Sequence, residues 1–181
     1  MTTMTRRGLA LSLLGSPLLA ALPLSLLQGC SPSEDKPPAP AEIQAGASCD
    51  LDGMLLSDYP GPKGQIYYVG EPKVSWFCDT VELLSTLLAP EQQRSVRAAY
   101  VQDMAKADWD QPRGHWMDAR QAWYVLGSRR QGSMGPTLAS LGSEAAAQAF
   151  AAQHGGRVLP YAQIRPEMVD LSGGAHHDGR M

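Results

Sequence analysis

The densest cluster of chemically useful residues is Cys49-Asp50-Leu51-Asp52-Gly53-Met54, a thiol and a thioether five positions apart. Gly53 permits a tight bend between them, so both sulfurs can converge on one ion. Thiolate and thioether are soft donors; together they favour Cu(I) over calcium or magnesium and, through the thioether, over zinc. A Cys and a Met in one turn are also a common pair of buried apolar residues, so the spacing needs support from the rest of the chain.

Cys78 stands directly before Asp79, a predicted helix cap, where amide dipoles lower a thiol pKa. This placement fits a reactive thiol, a second soft ligand, a buried residue at a strand-to-helix junction, or half of a Cys49–Cys78 disulfide in an oxidising compartment. The disulfide would abolish a thiolate site. Met104 at a strand end and Met134 under a Gly-Pro turn read as packing residues, and His115 reads as exposed. His176-His177, on a glycine-rich terminus, reads as solvated. No Ser-His-Asp set or other nucleophile and base arrangement stands out, and no catalytic residue is expected.

The elements that must hold these residues fall into two similar series. Gln65 to Val69 and Val74 to Phe77 are β-branched and aromatic and flank Gly70-Glu71-Pro72-Lys73, which predicts a hairpin. Asp79 with Glu82 resembles a capping box, and Val81, Leu84, Leu87 and Leu88 share one helical face before Pro90. Ala98 to Gln102 predicts a third strand. In the second half, Ala122 to Leu126 and Thr137 to Leu141 predict a hairpin, Ser143 caps a helix stopped by Gly155-Gly156, and Arg157 to Tyr161 predicts a closing strand. The expected fold class is α+β, with two small ββαβ units, about 46–105 and 115–165, in one compact globular region.

The N-terminus reads as an export signal over residues 1–29, with basic Arg6 and Arg7 ahead of an apolar stretch. Its end, Leu27-Gln28-Gly29-Cys30, resembles the bacterial lipobox, which implies cleavage before Cys30 and a lipid on that cysteine. Pro17 and Pro23 weigh against an uncleaved spanning helix. Residues 30–45 carry four prolines between Pro32 and Pro40 and predict a lipidated, flexible tether; residues 166–181 predict a flexible tail. The leader holds two of the 15 Lys and Arg and none of the 18 Asp and Glu, so the net charge of −3 falls by two to −5 on cleavage. Nothing in that balance points to nucleic acid. Ser31 after the lipidated cysteine points to outer-membrane sorting, and the oligomeric state is left open.

Taken in chain order, several segments resemble the NosL family, the copper-binding accessory lipoproteins of nitrous oxide reductase. They are the lipobox, Cys49-x-x-x-Gly53-Met54, Asp58-Tyr59-Pro60-Gly61-Pro62-Lys63-Gly64-Gln65, Phe77-Cys78-Asp79-Thr80-Val81-Glu82, Tyr100-Val101-Gln102-Asp103-Met104, Gly132-Ser133-Met134-Gly135-Pro136 and His154-Gly155-Gly156-Arg157-Val158-Leu159. The resemblance implies a domain over residues 46–165 with a fold similar to organomercurial lyase. It also implies Cu(I) held by Cys49 and Met54 with Met104 as the first candidate for the third ligand, then Met134, then His115 or Met117, and no enzyme activity. The implied role is a periplasmic metallochaperone, anchored to the membrane through Cys30, whose partners are apo nitrous oxide reductase and its membrane assembly complex. Docking or scaffolding in the same pathway is the alternative, and a lyase-like enzyme stands behind that. Many family members carry a second cysteine where this chain has Asp52, so two thiolates from this one loop are not available.

Overall fold

The predicted first hairpin is strand β1 (Gly64–Tyr68) paired with β2 (Ser75–Phe77), in a computed structural model that describes residues 36–91 and 94–171. Gly70, at φ +78°, opens the turn between them. Helix α1 (Thr80–Leu88) follows, and the Asp79 carboxylate caps it by accepting the Val81 N–H at 2.9 Å. Leu83 and Leu84 bury its inner face, and Pro90 lies two residues beyond its end. Strand β3 (Val96–Gln102) pairs with the other edge of β1, and β4 (Trp116–Asp118), which the sequence pattern did not predict, extends the sheet to the order β2-β1-β3-β4. Every pairing in it is antiparallel.

The second unit repeats this arrangement. Its central strand is β5 (Trp123–Leu126), and a small hairpin of β6 (Gln131–Gly132) and β7 (Gly135–Pro136) interrupts the connection to β8 (Ala139–Leu141). Helix α2 (Glu144–His154), capped by Ser143 and stopped at Gly155, leads to β9 (Arg157–Pro160). The order β8-β5-β9 places the first strand between its hairpin partner and the strand after the helix, as β1 lies between β2 and β3. The two ββαβ units therefore share topology. They also share a core, in which Ile66, Tyr68, Phe77, Leu83 and Val101 pack with Tyr124 and Leu138. The Ser140 hydroxyl donates to the Gln102 carbonyl at 2.6 Å and the Met104 N–H to the Ser140 carbonyl at 2.9 Å, which ties β8 to the end of β3.

Two predicted boundaries need correction. Residues 36–45, expected within the flexible tether, have fixed partners: the Ala41 N–H donates to Gln65 Oε1 at 2.8 Å, Gln65 Nε2 donates to the Ala41 carbonyl at 3.0 Å, and the Tyr100 hydroxyl donates to the Pro38 carbonyl. Proline removes an N–H donor but leaves its carbonyl, and the polar side chains of β1 and β3 use these acceptors. Residues 166–171 were expected in the tail, yet Pro166–Met168 form a 3-10 turn and Val169 enters the shared core. The predicted leader at 1–29, the lipidation site Cys30, and His176 and His177 lie outside the described residues. Among the described residues no helix is long and apolar enough to cross a membrane.

Candidate metal centre

The loop carrying Cys49 is closed by its own backbone. The Cys49 N–H donates to the Met54 carbonyl at 2.8 Å and the Gly53 N–H to the Cys49 carbonyl at 2.9 Å, with Gly53 at φ +77° making the bend. Asp52 Oδ1 accepts the Met54 N–H at 2.9 Å, and the Asp50 N–H donates to the Trp76 carbonyl at 2.8 Å, which fastens the loop to β2. That attachment brings Cys49 to the start of α1, where Cys78 sits between β2 and the helix cap.

The thiols of Cys49 and Cys78 both donate to Glu82 Oε2, at 3.3 and 3.1 Å, and the Cys78 N–H donates to the same oxygen at 3.1 Å. Both cysteines are free and buried, at 3% and 0% exposure. One ligand atom from each of Cys49, Asp52, Cys78 and Glu82 falls within a span of 4.8 Å, with Asp52 on the exposed side. Met54 packs half-buried in the same small cluster, with Leu56, Ile43 and Trp76. The thiols act as a pair. The adjacent Cys78 side chain draws the Cys49 pKa below the ordinary thiol value, helped against the opposing effect of burial by the backbone amides of Cys78, Leu51 and Asp52. The same contact, together with burial, pushes Cys78 upward.

The second unit reaches this cluster through the β6–β7 hairpin. The Ser133 hydroxyl donates to Cys78 Sγ at 3.1 Å, while the Ser133 N–H and the Thr137 hydroxyl donate to Asp79 Oδ2 and Oδ1 at 3.2 and 2.6 Å. Burial raises the Asp79 carboxyl to about 6, partly offset by the bond from Thr137. Behind Cys78 lies Lys63, fully buried, whose ammonium donates to the carbonyls of Pro60 and Cys78 at 2.9 and 3.0 Å. On the outer side, a cleft of about 480 Å³ is bordered by Leu51, Asp52, Glu82, Met134, Leu138 and Met168.

The structure thus brings together Cys49 and Met54 from the predicted set and adds Cys78. It does not bring Met104 to them: Met104 packs in a separate cluster with Trp109, Val125 and Leu141 beside α2. Met134 is 62% exposed at the hairpin tip, next to the Ser133 that bonds Cys78. His115, at φ +55°, borders a different hollow with Asp103, Lys106 and Met117. The sequence pattern presents Glu82 only as a capping-box residue. Its carboxylate does reach back past the helix start, but to the Cys78 N–H and both thiols.

Residues 40–169 match the family model for NosL. The chain belongs to the NosL family. It is similar to the "Copper-binding lipoprotein NosL" of Stutzerimonas stutzeri, at 37% identity over 94% of this chain and 90% of that protein. It is also similar to the protein of the same name from Achromobacter cycloclastes, at 36% identity over 84% of this chain and 81% of that one. The crystal structure of the copper chaperone NosL from Shewanella denitrificans superposes with a TM-score of 0.68 at 39% identity, covering 73% of this chain and 98% of that one. Within this NosL domain, Asp52, two residues before Met54, contributes a carboxylate and not a thiol to the cluster. The second thiol comes instead from Cys78, at the end of β2.

Proposed function

We propose that this protein is a Cu(I) metallochaperone of the periplasm, anchored to a membrane through a lipid on Cys30, that delivers copper for maturation of nitrous oxide reductase. The observation that carries the reading is the convergence of two free, buried thiols on one carboxylate at the start of a helix, with the Met54 thioether in the same cluster. Two thiolates and a thioether make a soft donor set suited to Cu(I), and the Cys49 thiol is already drawn toward the thiolate by its neighbours. The names of the relatives, copper-binding lipoproteins and a copper chaperone, support the same reading.

The proposed ligands are Cys49, Cys78 and Met54, with Cys78 taking the place expected for Met104. A carrier must release its cargo by ligand exchange, and the cleft bordered by Leu51, Met134 and Met168 leaves one side of the cluster open to an acceptor's donors. The partners in this reading are apo nitrous oxide reductase and its membrane assembly complex. Ser31 favours the outer membrane, and the protein itself performs no catalysis.

Titration of the reduced mature protein with Cu(I) against a competing chelator tests the site. Cys49→Ala and Cys78→Ala are each expected to weaken binding by at least about a hundredfold, since each removes one soft donor from a small set. Wild-type affinity in both variants would remove the site. The cellular role is tested by the copper content of nitrous oxide reductase in a strain whose only copy of this chain carries Cys49→Ser; normal copper would favour a docking role. A second reading has one observation in its favour, because two thiols beside a carboxylate can also attack a carbon–mercury bond and protonate the leaving carbon. Turnover of an organomercurial in the presence of free thiol would replace the carrier reading with that one.

A further inference from the structure

Lys63 is the only buried lysine or arginine among the described residues. Its backbone is fixed by donation from its N–H to Gln102 Oε1 at 3.0 Å, and its ammonium bonds the carbonyls of Pro60 and Cys78. No carboxylate oxygen of a described residue lies within 4.0 Å of that ammonium. Compensation comes only at longer range, from Asp79 and the thiol-bonded Glu82, and does not outweigh the cost of burying the cation in the metal-free protein. The cation is nonetheless held against the back of the thiol pair, through the carbonyl of one of the two cysteines.

Charge balance gives this placement a use, given the copper reading above. When a doubly protonated thiol pair takes up Cu(I), two S–H bonds break, two protons leave to solvent and two sulfur–metal bonds form. The net charge of the centre, which already includes the Glu82 carboxylate, becomes more negative by one unit. When the same pair takes up a divalent soft ion with the same loss of two protons, the net charge of the centre does not change. A fixed positive charge behind the pair therefore favours the monovalent product and offers nothing to the divalent one.

We propose that Lys63 is a specificity-determining residue, the built-in counter-cation that makes the Cys49–Cys78 pair prefer monovalent over divalent soft metal. Lys63→Met removes the charge while keeping most of the volume, and Lys63→Gln removes it while keeping a hydrogen-bond donor. Each variant and the wild type would be titrated with Cu(I) against a chelator and with Cd(II), the latter followed by thiolate-to-metal charge-transfer absorbance, and urea unfolding would report the metal-free stability. Both variants are expected to bind Cu(I) about tenfold or more weakly, as loss of one unit charge across a few ångströms at an effective dielectric of ~20 implies. Cd(II) affinity should be unchanged or higher, and metal-free Lys63→Met should be as stable as wild type or more so. Equal loss for both metals, or Cu(I) binding that weakens only in step with lost stability, would mark Lys63 as structural and overturn the proposal. Wild-type Cu(I) affinity in either variant would do the same. A wild type that binds Cd(II) but not Cu(I) would remove both the copper reading and the proposed preference, whereas retained Cu(I) affinity in the variants removes only the latter.

Discussion

At the scale of single residues, Glu82 has the most consequential contacts. One oxygen accepts from two thiols and a backbone N–H, so it sets where both sulfurs sit and satisfies a donor otherwise left over at the helix start. Glu82→Ala should destabilise the metal-free protein by about 2 kcal/mol, the order of a buried N–H left without a charged acceptor, as read by the urea midpoint. Unchanged stability would mean that Cys78 finds another acceptor. Glu82 was visible in the sequence only as a helix signal, since capping-box spacing carries no information about what lies beyond the cap. Cys49 and Met54 were legible as a pair because one glycine bend joins them. Cys78 was not legible as their partner, because the bond from Asp50 to Trp76 that brings it there joins segments far apart in the chain.

At the scale of elements, Asp79 couples the two units. Its carboxylate caps α1 and accepts from Ser133 and Thr137 of the second unit's hairpin connection, where Gly132 is required because a Cβ would lie 2.0 Å from Asp79 Oδ2. Asp79→Ala removes a cap and leaves the hairpin's donors unanswered, so a loss of about 2–4 kcal/mol is expected from the cap and the buried bonds together. The pH dependence has a definite sign. The folded carboxyl titrates at about 6 against an ordinary value of 3.8, so the folded state holds the proton more tightly than the unfolded state. Its contribution to stability is fully present below pH 4 and is lost as the pH rises through 6. Chemical denaturation from pH 4 to 7 should therefore show wild type losing stability relative to Asp79→Asn; a constant difference would place the Asp79 carboxyl at its ordinary value. Most of these elements were readable from periodicity and caps. The exceptions are the two-residue β6 and β7 and the three-residue β4, which have too few positions to show alternation; β4 follows two left-handed residues, Gly114 and His115, and exists because β3 offers it an edge.

At the scale of the whole molecule, the boundary of the folded domain changes how the proposed anchor can work. Composition suggested a tether of sixteen residues, 30–45, but the bonds from Arg97 to the Lys36 carbonyl and from Tyr100 to the Pro38 carbonyl make the chain from residue 36 part of the domain. Only residues 31–35 then separate Cys30, the proposed lipidation site, from the fold, a span of at most roughly 20 Å at about 3.5 Å per residue. In the proposed role, so short a link would hold the metal centre near the leaflet and raise its effective concentration for an acceptor in the same membrane. Inserting about twenty Gly and Ser residues after Ser33 should lower that concentration several-fold, given the roughly −3/2 power dependence on linker length, and leave Cu(I) affinity untouched. In cells where the chaperone is limiting, the copper content of nitrous oxide reductase should fall with the insertion and recover when expression is raised to compensate. If copper content is insensitive to linker length at every expression level, delivery does not depend on proximity to the membrane, and the acceptor meets this protein in the soluble periplasm.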